Sequence, residues 1–275
     1  EILRCLVGSE MCIETDSITD EWAQEFKKYA DWAPLGEDYA EDVKGIVADT
    51  YLGYKCTEQE RIRTCNAIGA HFEELWEQGI NYQFDLWTLT DTSPLKHVRC
   101  RGGADSNNMM PQIIKCSKIN LNMTNRPIKT GLPLRIFDLM ACGGFVLSNY
   151  QSEIPEIFVP DEDIVLYDSI PDMLAKIDYY LEHDDERKQI AKNGYEKVKE
   201  YHSYDVRIVT MLKTAGIFNP GCSFINYNPH SFYLFCNFLQ SSLQHELHHL
   251  HPDPSSLDKV CLLYTSDAAD DSLRV

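Results

Sequence analysis

A helix that stops on paired glycines and turns at once into a strand leaves a chain few folds to choose from. Residues 129–149, KTGLPLRIFDLMACGGFVLSN, carry such a stop at Cys142-Gly143-Gly144. Glycine accepts the left-handed conformation that ends a helix at little cost, and the Phe145 to Leu147 run behind it is aromatic and β-branched, as strands prefer. A Gly131/Pro133 turn leads into the helix, which holds Arg135 and Asp138 on one side. Turn, helix, glycine stop and strand in this order belong to an open α/β sheet, where ligands bind outside the carboxyl ends of the strands. Lys129, Gly131 and Arg135 fall at such a place.

The surrounding pattern extends the same fold. Strands are expected at 83–89, 98–101, 119–123, 145–149 and 164–167, and the helices between them make βαβ units and hence a parallel sheet. Pro111 opens a helix over 112–118 that turns Ile113, Ile114 and Cys116 inward. Residues 154–158 make one or two turns, and 171–182 form an amphipathic helix with Met173, Leu174, Ile177, Tyr180 and Leu181 on one face. Helices over 184–201 and from 202 to 215 follow. Upstream, Trp22, Phe26, Tyr29 and Trp32 recur at helical spacing, then Val43, Ile46, Val47 and Tyr51, giving two acidic helices in 17–56. A third covers 58–69, and 71–76 either prolongs it or adds a turn. A break at Gly79 separates this helical part, 17–78, from a Rossmann-like α/β domain at 79–216.

Charge narrows the partners. With 43 acidic against 25 basic residues the net charge is -18, which repels nucleic acid and anionic membrane surfaces. An anionic ligand must find a local basic cluster. No run reaches the roughly 20 apolar residues that span a bilayer, and the ten cysteines show no CxxC, so free thiols and a cytoplasmic location are expected.

Both ends read differently. Residues 5–13, CLVGSEMCI, and 261–270, CLLYTSDAAD, resemble translations of the adaptors used in transposase-based library preparation, so 1–16 and 261–275 are expected to be adaptor-like artefact. Residues 217–260 lose amphipathic period and become rich in Phe, Ser, His and Pro, the expectation being a frameshifted or disordered tail. That tail contains His245-Glu246-Leu247-His248-His249, which satisfies HExxH, the zinc peptidase pattern. Pro252 and Pro254 follow almost at once, and His251 is too close to be the usual third ligand, so no metal site is assigned.

The runs MPQIIKCSKINLNMT, GLPLRIFDLMACGGFVLSNY, IPEIF and AKNGYEKVKEYHSY resemble the carboxyl-terminal domain of glycosyltransferases of the CgeB-like spore-protein group, over residues 81–213. That resemblance implies the GT-B fold, in which two Rossmann-like domains face each other and the second binds a nucleotide-sugar donor. Residues 17–78 would then be a helical remnant of the amino-terminal domain. It implies transfer of a sugar to an acceptor without bound metal or cofactor, the nucleotide-sugar being substrate. Asp138 matches the carboxylate that accepts hydrogen bonds from the donor ribose, and Arg135 a basic position suited to a diphosphate. Thr130 stands where related enzymes hold a second Glu. The donor-binding set expected is Asn122, Thr124, Lys129, Thr130, Gly131, Arg135, Asp138, Gly143 and Gly144, with no catalytic residue assigned. Alternatives are a non-catalytic nucleotide or sugar binding module of a spore or surface assembly and, remotely, a zinc peptidase.

Overall fold

Hydrophobic periods of two and 3.6 residues sort the chain into strands and helices wherever it is described, which in the computed structural model is residues 52–128, 131–216 and 258–263. The described elements are α1 (Gly53–Glu77), β1 (Tyr82–Trp87), β2 (Arg99–Gly102), α2 (Met109–Cys116), β3 (Ile119–Asn122), α3 (Leu134–Ala141) and β4 (Val146–Asn149). They continue with α4 (Ile154–Ile157), β5 (Val165–Tyr167), α5 (Ile170–Glu182), α6 (Asp184–Tyr201), α7 (Tyr204–Thr214) and β6 (Asp258–Leu263). All pairings are parallel, and the order across the sheet is β2-β1-β6-β3-β4-β5. The α/β class with a Rossmann-like parallel sheet is therefore as the strand pattern predicted.

From β1 the chain steps outward to β2, and from β3 it steps the other way through β4 to β5. The direction of winding reverses between β1 and β3. Their gap is filled by β6, which pairs with β1 from Tyr82↔Asp258 to Trp87↔Leu263 and with β3 at Ile119↔Val260 and Asn120↔Cys261. Sequence reading leaves these residues outside the fold, as the end of a tail and the start of an adaptor-like flank.

Two further boundaries differ from expectation. The helix expected at 58–69 runs unbroken from Gly53 to Glu77, because Ile68 and Phe72 carry the buried face straight past Gly69. Gly69 is there for close approach, since a Cβ at that position would lie 2.7 Å from the His97 carbonyl oxygen. Nor does the packing break at 79: Cys65, Ile68 and Phe72 of α1 share one buried cluster with Phe84 and Leu86 of β1, Ile119 and Leu121 of β3, and Leu147 of β4. The helix covers a face of the sheet. The compact unit holding the sheet takes in described residues 52–196 and 258–263, and a second begins at Lys197, within α6. In that second unit α7 buries none of its side chains, and Arg207 donates to His202 Nδ1 at 2.8 Å.

Beside α1, α5 closes the same core, with His71 of α1 and Asp178 of α5 meeting at 2.8 Å. Ser169 caps α5 by accepting the Asp172 N–H at 3.3 Å, and Met173, Ile177, Tyr180 and Leu181 are buried. Tyr180 meets Phe145 with ring centroids 4.8 Å apart. Where α6 starts, Asp184 accepts from Arg187 at 2.9 Å and pairs with Lys118 at 3.3 Å, while Arg187 also donates to the Lys118 carbonyl at 2.8 Å. This cluster ties α6 to the residue just before β3. The Arg187 hydrogen bond, with Lys118 beside it, holds the Asp184 carboxyl well below the usual carboxylate range.

Candidate functional site

The carboxyl ends of β3 and β4 are polar although the strands are not. Behind Ile119 and Leu121, β3 ends in Asn122, and behind Val146 and Leu147, β4 ends in Ser148 and Asn149. Buried polar groups must find partners, and these find one another. Asn122 Nδ2 donates to Ser148 Oγ at 2.9 Å and to Thr124 Oγ1 at 3.2 Å, and Ser148 Oγ donates to the Asn149 carbonyl at 3.1 Å. Asn149 Oδ1 accepts the Thr124 N–H at 2.8 Å. The result is a cross-strand polar ladder forming the floor of the sheet's carboxyl edge, beside the point where the winding reverses.

The loop that leaves this floor is held from a second side by the first turns of α1. Thr57 Oγ1 accepts the Arg126 N–H at 3.0 Å, Arg61 Nη2 donates to the Met123 carbonyl at 3.1 Å, and Glu60 pairs with the Arg126 guanidinium. The Ile128 N–H closes a turn onto the Asn125 carbonyl at 3.0 Å. Beyond Gly131, which takes φ +88, Pro133 starts α3 with extended backbone, and no side chain caps the helix. Its first turn carries no acidic residue and has Arg135 in it. An uncapped helix start offers backbone N–H groups and a partial positive charge to an anion.

The opposite end of α3 explains the paired glycines. Gly143 lies at φ +75, its N–H reaching the Met140 carbonyl at 2.8 Å, and the Gly144 N–H reaches the Leu139 carbonyl at 3.0 Å, which together make a Schellman stop. A Cβ on Gly144 would sit 2.6 Å from Ile114 Cγ2 and 2.7 Å from Asn120 Nδ2, so no other residue fits without movement.

Titration near the floor is set by burial. Burial pushes the Cys65 thiol up to about 12, the nearby Arg61 only partly opposing it. The Tyr167 phenol is raised too, first by burial and then by Glu60. Both stay protonated at neutral pH, so the site holds no thiolate or phenolate from these two. On a chain of net charge -18, Arg61 and Arg126 are engaged in holding the loop, through the Met123 carbonyl and Glu60, and Arg135 stands in the first turn of α3. Among the described residues no group of three or more His, Cys, Asp or Glu is placed to hold a metal, and no helix is long and apolar enough to cross a membrane.

Residues 65–213, just over half of the chain, match the Glycosyl transferase-like family. The chain belongs to that family. A search of the curated proteins found no match. The matched span takes in β1 to β5 and the whole β3–α3–β4 passage, so the polar strand-end floor and the start of α3, which bound the candidate crevice, lie in the glycosyl transferase-like part of the chain.

Within it the expected donor residues fall into three groups. Asn122 and Thr124 lie on the floor, 2 % and 8 % exposed, with their side chains joined to each other. Gly131, Arg135 and Asp138 follow along the loop and α3, with Gly131 and Asp138 exposed and Arg135 half-buried. Gly143 and Gly144 lie at the amino edge of β4, an eight-residue helix away from the crevice, or about 12 Å at 1.5 Å per residue. Their role in this structure is the turn. Lys129 and Thr130 lie outside the described residues, as does the HExxH at 245–249. Sequence reasoning missed Thr57, Glu60, Arg61, Arg126 and Asn149. Ser148-Asn149 directly behind a buried strand was a usable signal, whereas nothing in α1 marks Thr57 from its neighbours.

Proposed function

We propose that this crevice binds the nucleoside diphosphate of a sugar donor and that the chain is the donor half of a GT-B, CgeB-like glycosyltransferase acting without bound metal. The observation that carries the reading is the placement, inside the matched family span, of an uncapped α3 amino end and Arg135 beside the strand ends where the sheet reverses its winding. Departure of the sugar leaves negative charge on the diphosphate, and donors already fixed in place stabilise it at no reorganisation cost. Arg135 and the backbone around Gly131, with Lys129 and Thr130, take the phosphates. Asp138, one turn along the same helix, takes the ribose hydroxyls. Asn122 and Thr124 shape the floor rather than offering free hydrogen bonds.

Calorimetry with UDP- and GDP-sugars tests this. At least one donor should bind, and Arg135→Ala should weaken it by tenfold or more, the scale of one lost charge-assisted hydrogen bond. Heat from none of the donors, or an Arg135→Ala variant that binds like the parent, overturns the reading. A second reading, a binding module without turnover, is favoured by Thr130 in place of the second Glu. Donor binding with neither transfer nor slow donor hydrolysis would select it.

A further inference from the structure

We propose that Thr57 is a positioning residue for the donor loop, holding the backbone of residues 123–126 in the shape that presents Gly131 and Arg135 to the diphosphate. The inference rests on the donor-binding reading and adds to it a residue 69 positions upstream of the contact that it makes. Thr57 is 3 % exposed. Its hydroxyl proton goes to the Gly53 carbonyl at 2.8 Å, one turn back along α1, a pattern open to Ser and Thr within helices. That leaves the oxygen's lone pairs facing out of the helix, where the Arg126 N–H meets them at 3.0 Å. The hydroxyl thus links the first turn of α1 to the loop by a donor and an acceptor bond at once.

Two more side chains grip the same short backbone stretch. Asn149 holds the Thr124 N–H from β4, and Arg61 holds the Met123 carbonyl from α1. Three grips, on Met123 O, Thr124 N and Arg126 N, come from α1 and β4, elements distant in sequence from the loop or across the sheet from it. A loop fixed before its ligand arrives loses less freedom on binding, so these contacts act on affinity through the loop and touch no ligand themselves. Thr57 is the member that can be removed without altering charge or volume: Val has the same shape and lacks the oxygen, whereas Ser keeps it.

The experiment uses the full chain, with UDP and GDP as probes in titration calorimetry at 25 °C and thermal unfolding alongside. Thr57→Val should weaken the better nucleotide by about tenfold, the equivalent of one buried hydrogen bond left unmade. Thr57→Ser should bind within about twofold of the parent. Both variants should be fully folded at the assay temperature, so a role confined to stability would move the unfolding midpoint and leave affinity alone. Parent-like affinity in Thr57→Val, or a loss that Thr57→Ser does not restore, overturns the inference. Should the parent bind neither nucleotide, the donor reading falls and takes this inference with it. Binding by the parent with an unaffected Thr57→Val variant removes the inference alone.

Discussion

The two sides of the sheet are built on different terms. On one side, β3, β4 and β5 follow one another along the chain, each joined to the next through a helix, and their residues are buried almost without exception. On the other, the edge strand β2 reads Arg-Cys-Arg-Gly with every residue exposed, and its inner neighbour β1 pairs with a strand that returns from residues 258–263. Hydrophobic burial holds the first side. On the second side only β1 joins that burial, through Phe84 and Leu86, while β2 hangs on backbone pairing and on one ion cluster, in which Asp85, 4 % exposed in its side chain, faces Arg99 at 3.3 Å and Arg101 at 3.2 Å. A charged, short outer strand also blunts the sheet edge against pairing with another chain. Stability and edge protection are thus divided between the two sides.

The strongest way to break this comparison is to remove β6. A chain ending before residue 258 should lose the most stability of any change considered, on the order of 1 kcal/mol for each ladder hydrogen bond freed on β1 and β3, read from denaturant unfolding. An unchanged midpoint would return 258–263 to the flank where its adaptor-like sequence puts it. Next in size, Leu147→Ala in β4 should cost ~2 to 5 kcal/mol, because Leu147 is wholly buried. Cys100→Ala in β2 should stay within ~0.5 kcal/mol, since Cys100 is exposed. Equal losses at the two positions would erase the distinction between the sides.

A smaller effect sharpens the comparison. Asp85→Asn should cost about 1 to 2 kcal/mol, as expected for losing a charged hydrogen-bond acceptor, and amide exchange in β2 should speed up more than in β4. Smallest is a pH effect at the start of α6. The folded Asp184 carboxyl is depressed by Arg187 and Lys118, so its stabilisation is complete above the unfolded value of about 3.9 and fades as pH falls below it. Asp184 is 41 % exposed in its side chain, which keeps the effect modest through solvent screening. The unfolding midpoints of the parent and Asp184→Asn should differ at pH 6 and converge toward pH 2.

Local pattern carried most of the well-buried side. Alternation and helical period place β3, β4, α5 and α6 to within a residue or two, and Cys142-Gly143-Gly144 announces the end of α3 because only glycine satisfies both the positive φ and the crowding found there. What sequence could not show is contact between distant parts. The Asn149 to Thr124 and Thr57 to Arg126 bonds join residues 25 and 69 positions apart, and no periodicity encodes such a pair. The place of α1 is missed for a related reason: its apolar stripe, Cys65, Ile68 and Phe72, tells that a helix covers something without telling what. The candidate site was legible as a stretch with Asn122 and Thr124 of its floor, whereas Ser148, Asn149 and the outer clasp from α1 were not.

One consequence follows from the carboxyl end of α3. The Gly144 hydrogen fills a space bounded by Ile114, Asn120 and the Leu139 carbonyl, and Asn120 Nδ2 also donates to the Phe145 carbonyl at 3.2 Å. That end of the helix is clamped by α2, β3 and its own last turn, and the first turn is held as well, by the wholly buried Ile136 and by Phe137 against Phe158 with ring centroids 5.7 Å apart. A tilt of α3 about Gly144 would therefore have to unpack Ile136 and Phe137 before it displaced Arg135. Arg135 thus projects from a helix pinned near both ends, and a spin label beside it should report no more motion than one near Ala141.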